Sequence, residues 1–92
     1  MESALRIDLV IEGRVQGVGY RYSAKIKADS LSIGGIVKNM SDGTVFVTAQ
    51  GKKEAMENFL EWCFKGPSGA IVKNIEKVYG KTEDFSGFRI LY

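Results

Sequence analysis

Hydrophobic and polar residues alternate from Leu5 to Glu12: Leu5, Ile7, Leu9 and Ile11 fall on one face, Arg6, Asp8 and Glu12 on the other. A period of two over this length predicts a strand with one buried face and one wet one. After GRVQGVG the period changes. From about Tyr20 to Leu31, Ala24, Ala28 and Leu31 recur at i, i+4 and i+7 with Lys25, Lys27 and Asp29 between them, which predicts an amphipathic helix. Gly34 and Gly35 end it. GIVKN and TVFVTAQ then flank MSDG, whose Asp42-Gly43 pair is a strong hairpin-turn dipeptide, so two antiparallel strands are expected to meet there. Between Lys52 and Lys65 the clearest helical stripe of the chain is formed by Ala55, Met56, Phe59, Leu60, Cys63 and Phe64. GPSG, Gly66 to Gly69, stops it; AIVKNIEKVYG reads as a strand rich in β-branched residues, and FRILY as a last short one.

The order β-α-β-β-α-β predicts an α+β protein of the split-βαβ, ferredoxin-like arrangement, with both helices packed on one face of a mostly antiparallel sheet. Ninety-two residues suit a single domain spanning 1–92, and 45% hydrophobic with 26% charged residues suits a soluble, folded one. A net charge of +2 is too small to mark a general nucleic-acid or membrane binder. The sequence has no His, which removes the usual base of serine and cysteine protease triads and the ligands of HExxH metalloenzymes. Its one cysteine, Cys63, allows no internal disulfide and begins no zinc or iron–sulfur set; a core role in the helical stripe is expected for it, and a reducing compartment, the cytoplasm, for the chain. Charges recur every few residues through MESALRIDLVIEG, so neither a signal peptide nor a membrane span is expected there.

Candidate chemistry concentrates between Gly13 and Tyr22, GRVQGVGYRY, where a strand hands over to a helix through three glycines. Glycines let consecutive N–H groups converge, and the following helix N-terminus adds positive potential, which makes an anion cradle. No GK[ST] follows, and Tyr22 occupies the third glycine position of GxGxxG, so both nucleotide-binding patterns fail. Arg21 in a first helical turn opposes the helix dipole, and residues 13–28 hold Arg14, Arg21, Lys25 and Lys27 with no Asp or Glu. A phosphate-sized site accounts for this; so does a solvated face of Lys25 and Lys27 with Arg21 snorkelling. Asp42 and Gly43 read as turn chemistry. A β-α-β crossover sets the first two strands parallel, which can bring Asn39 toward the Gly13–Arg21 loop.

The GxVQGVxxR loop at Gly13–Arg21 and the NxxDGxV hairpin at Asn39–Val45, followed by Gly51, GPSGA and FRILY, resemble the acylphosphatase family over nearly the whole chain. The resemblance implies the ferredoxin-like fold already read from the pattern. It also implies hydrolysis of a carboxyl–phosphate anhydride to carboxylate and inorganic phosphate, with no metal, no cofactor and no covalent intermediate. Arg21 matches the family's phosphate-binding arginine, and the N–H groups of Val15, Gln16, Gly17, Val18, Gly19 and Tyr20 its phosphate-binding loop. Asn39 matches the catalytic asparagine that positions the attacking water. The partners implied are a small acyl phosphate, with inorganic phosphate as product and competitive inhibitor, and no nucleic acid or membrane; a monomer is expected. The acyl group stays open among acetyl, carbamoyl and glycolytic acyl phosphates.

Three positions depart from the family pattern: Tyr20 stands where Phe is typical, Ser32 where Gly commonly follows the first helix, and Ile36 where an aromatic precedes Val. Ser32 must adopt a left-handed conformation or end the helix differently. Two other readings compete. One is a non-catalytic domain binding phosphate or carbamoyl phosphate for a partner, against which intact Arg21 and Asn39 argue. The other is an RNA-binding module of the same fold, for which TVFVTAQ offers only Phe46 as a stacking aromatic.

Overall fold

A computed structural model describes residues 4–92. Its elements are β1 (Ala4–Arg14), α1 (Tyr20–Ser30), β2 (Gly34–Asn39), β3 (Val45–Lys52), α2 (Lys53–Lys65), β4 (Ile71–Gly80) and β5 (Phe88–Leu91). The strands form one sheet in the order β4-β1-β3-β2-β5. All neighbours are antiparallel except β2 and β5, which run parallel. The ferredoxin-like α+β arrangement is the one the pattern predicts, with FRILY's strand placed at the sheet edge beside β2.

The alternation of β1 puts Ile7, Leu9 and Ile11 in the core, facing Ala49, Val47 and Val45 of β3. Both helices cover that face. α1 contributes Ala24 and Ala28, small enough for close approach, and α2 contributes Met56, Phe59 and Cys63. The stripe on α2 is narrower than its sequence suggests: Met56, Phe59 and Cys63 are buried, while Phe64, at the margin of the stripe, is 52% exposed. Trp62 takes the inward place instead, 5.3 Å from the Tyr20 ring and 6.2 Å from Phe59. Phe59 in turn meets Phe88 of β5 edge-on at 5.9 Å. These aromatic contacts tie both helices and the edge strand into one core.

The topology decides where a site can form. β3 is antiparallel to both β1 and β2, so β1 and β2 are parallel although not adjacent, and β5 follows β2. The C-terminal ends of β1, β2 and β5 therefore open at the same edge of the molecule, where α1 begins. One row across the sheet makes this concrete: Val45 pairs with Ile11 on one side and with Asn39 on the other. Asn39 thus lies two strand spacings, ~9.6 Å, from Ile11 and on the helix-covered face.

Ser32 takes the first of its two options, with φ 56. Its N–H bonds the Asp29 carbonyl at 3.2 Å and that of Ile33 bonds Ala28 at 2.9 Å, while Ile33 and Ala28 are both buried. This is a Schellman ending built with Ser where glycine has no Cβ penalty.

Candidate active site

β1 ends in a bulge at Glu12/Gly13, and the chain then turns through residues 15–19 into α1. Val15 anchors the turn at 1% exposure. Gly17 and Gly19 have φ 75 and 78, the left-handed region, and an added Cβ at either would meet nothing within 4 Å. The glycines serve conformation rather than space. Gly19 is the N-cap of α1 and offers no side chain to its amides, and no acidic residue lies in the first turn. The Ser23 N–H is the first to reach a helical carbonyl, that of Gly19 at 3.0 Å. The amides before it are the ones an α-helix leaves without acceptors, at the positive end of its dipole.

Arg21, half-buried, leans toward β5. Its Nη1 donates to the Leu91 carbonyl at 3.3 Å, and its guanidinium carbon lies 5.0 Å from the centre of the Tyr92 ring. Among the described residues Arg21 forms no ion pair with a carboxylate side chain; the ion pairs there are Arg6 with Asp8 and Glu83, and Lys25 with Asp29. A planar fork of five donors with one spent on the backbone is suited to a ligand's oxygens. Lys25 does not belong to a merely solvated face: its ammonium bonds the Phe88 carbonyl at 2.9 Å as well as Asp29 at 3.0 Å, holding α1 to β5.

Asn39 is the last residue of β2, half-buried, and its carboxamide has no hydrogen-bond partner among the described residues. The turn that follows is shaped by Asp42, whose Oδ1 accepts from the Thr44 N–H at 3.0 Å and hydroxyl at 2.7 Å. Those bonds, the hydroxyl's first, hold the Asp42 carboxyl below its usual range. Val15, Gly17, Gly19, Tyr20, Arg21 and Asn39 line one cleft of 170 Å³ together with Tyr22, Ile90 and Tyr92. Of the residues singled out in the sequence, Gln16 and Val18 are outside that lining: Gln16 turns to the 40–44 turn, and Val18 packs against the core. The Tyr20 ring also points inward, its hydroxyl on the Cys63 carbonyl at 2.7 Å. Tyr22, Ile90 and Tyr92 have no signal in local pattern; β5's parallel pairing brings the last two in.

Among the described residues no three His, Cys, Asp or Glu side chains gather to hold a metal ion, and no helix is long and apolar enough to cross a membrane. Burial pushes the Cys63 thiol up to about 12, where it stays protonated and inert at neutral pH. The chemistry the cleft offers is recognition of a small anion by amides and a guanidinium, beside one unengaged carboxamide.

The family model for acylphosphatase matches residues 7–90. The chain belongs to the acylphosphatase family. It is 43% identical to the acylphosphatase of Thermotoga maritima over 82 residues, covering 89% of this chain and 91% of the relative. It is 38% identical to that of Acaryochloris marina over 91 residues, 99% and 98% of the two chains. The crystal structure of acylphosphatase from Bacillus subtilis is similar at a TM-score of 0.93 and 35% identity, over 96% of this chain and 99% of that one. Acylphosphatase membership at this identity and coverage makes the protein a hydrolase of acyl phosphates, small molecules that carry a carboxyl–phosphate anhydride.

Proposed function

We propose that the phosphoryl group of the acyl phosphate seats on the Val15–Tyr20 loop, with Arg21 as its charged clamp and Asn39 as the residue that positions water. The observation that carries this reading is that Arg21, Asn39 and the left-handed Gly17 and Gly19 line one cleft at the open N-terminus of α1. Loop amides and the helix dipole surround the phosphoryl charge, and the guanidinium fork takes two of its oxygens. The Asn39 carboxamide accepts a hydrogen bond from a water and holds it opposite the leaving carboxylate. Water attacks phosphorus as the P–O bond to the acyl group breaks; the carboxylate leaves with the bonding pair, and the water's proton passes to a phosphoryl oxygen. The carboxylate is already a good leaving group, so positioning and charge stabilisation supply most of the acceleration without a histidine base. Tyr22, Ile90 and Tyr92 form an aromatic and apolar rim against which the acyl group rests. The enzyme works as a single-domain monomer in the cytoplasm.

The test is titration with inorganic phosphate followed by backbone amide NMR, beside phosphate inhibition of benzoyl phosphate hydrolysis. Resonances of residues 16–21 move in step with competitive inhibition, and Arg21→Ala weakens phosphate roughly 10–100-fold, the worth of a charge-assisted hydrogen-bond pair. Competitive inhibition with those resonances unmoved contradicts the loop's role.

A further inference from the structure

We propose that the Gln16 side chain is a positioning residue that sets Asn39 against the phosphate loop, a role that rests on the reading of the cleft given above. Gln16 Nε2 donates to the Met40 carbonyl at 2.7 Å and to the Thr44 carbonyl at 2.9 Å. A carboxamide nitrogen has two hydrogens, so this one side chain spends both on the turn. Met40 and Thr44 are the residues that close that turn: the Met40 N–H bonds the Thr44 carbonyl at 2.9 Å and the Gly43 N–H bonds the Met40 carbonyl at 3.2 Å. Asn39 immediately precedes Met40.

The topology explains why such a link is needed. β3 lies between β1 and β2, so no ladder hydrogen bond joins the strand that leads into the loop to the strand that ends in Asn39. Among the described residues, the two bonds from Gln16 are the only hydrogen bonds between residues 15–21 and 39–45. The turn does not depend on Gln16 for its own shape, which the Asp42–Thr44 bonds and the Asn39–Val45 pairing already set. What Gln16 fixes is the position of the turn, and with it Asn39, relative to the amides that follow Val15. Glutamate, ionised, has no hydrogen to offer either carbonyl, and asparagine is one methylene short, so the role is specific to glutamine.

The test removes the donor and keeps the bulk: Gln16→Met, with Gln16→Leu as a second variant, each alone and combined with Asn39→Ala, assayed on benzoyl phosphate with inorganic phosphate as inhibitor. Thermal unfolding selects whichever single variant is folded at the assay temperature. The expected loss is roughly 10–100-fold in kcat, the cost of a misplacement near 1 Å, with KM and phosphate inhibition within about threefold of wild type. In the Asn39→Ala background the same change lowers kcat by less than about twofold, because the group it positions is gone. Losses that multiply fully in the double variant, an effect confined to KM, or a wild-type kcat in the single variant each overturn the proposal. An unchanged kcat in Asn39→Ala alone overturns the reading of Asn39 beneath it, which is a different failure.

Discussion

Gly19 shows how a single residue shapes the cleft. At φ 78 it caps α1 without covering the amides behind it, and the space around its missing Cβ is empty, so only backbone strain resists a side chain there. Gly19→Ala is expected to cost about 1–2 kcal/mol of stability through the left-handed penalty. It is also expected to lower kcat/KM by at least about tenfold through re-aimed amides. Urea unfolding and steady-state assay separate the two, and a destabilised variant with wild-type kcat/KM would show that the loop's conformation is not used. At this scale the motif residues Arg21 and Asn39 are legible in the sequence. The Gln16 side chain is not, because GxVQGVxxR says which residue stands in the loop and nothing about whether its side chain faces the ligand or a turn 24 residues away.

The end of α1 carries one of the chain's departures from the family pattern. Ser32 accepts a left-handed conformation after α1, so Ser32→Gly is expected to stabilise the fold by about 1 kcal/mol in urea unfolding, with kcat unchanged. A destabilised variant would mean that the serine makes a contact worth more than its strain. At the hairpin, Asp42 keeps its charge to lower pH than an ordinary carboxyl because Thr44 donates to it twice. Its folded value is depressed, so its contribution to stability is present above the ordinary carboxyl value of 3.8 and is lost only as pH falls below that. Thr44→Val removes the hydroxyl, and a carboxyl NMR titration should show the Asp42 value moving back up toward 3.8; an unmoved value would show that the hydroxyl bond is not its cause. Element existence and type follow from periodicity, as in β1 and α2. The exposure of Phe64 does not, because a stripe at helical spacing says which residues share a face and not which margin of that face meets the core.

For the whole molecule, the alternating strands and two amphipathic helices make the two-layer arrangement legible, whereas the place of β5 depends on pairing over more than fifty residues that local pattern does not contain. That pairing brings the Leu91 carbonyl, Ile90 and Tyr92 to Arg21. The shared core also has a titration signature. Burial raises the Tyr20 hydroxyl above its ordinary 10.0 and the Cys63 thiol from 9.0 to about 12. The native state keeps protons that the unfolded chain releases, so stability is full below about pH 9 and falls as pH rises, by up to ~1.4 kcal/mol per pH unit for each group. Urea midpoints at neutral pH and at pH 10.5 test this; an unchanged midpoint contradicts it, and Tyr20→Phe should soften the fall. The proposed division of labour in the cleft is tested by steady-state hydrolysis of benzoyl phosphate in EDTA by wild type, Arg21→Ala and Asn39→Ala, each confirmed folded by circular dichroism. Turnover is expected to fall roughly 10³–10⁵-fold in Arg21→Ala, with weakened phosphate inhibition. Asn39→Ala is expected to lower turnover on the order of 10²–10³-fold with phosphate inhibition retained. Near-normal turnover in a folded Arg21→Ala sample, or loss of phosphate inhibition without loss of turnover in Asn39→Ala, would contradict these roles.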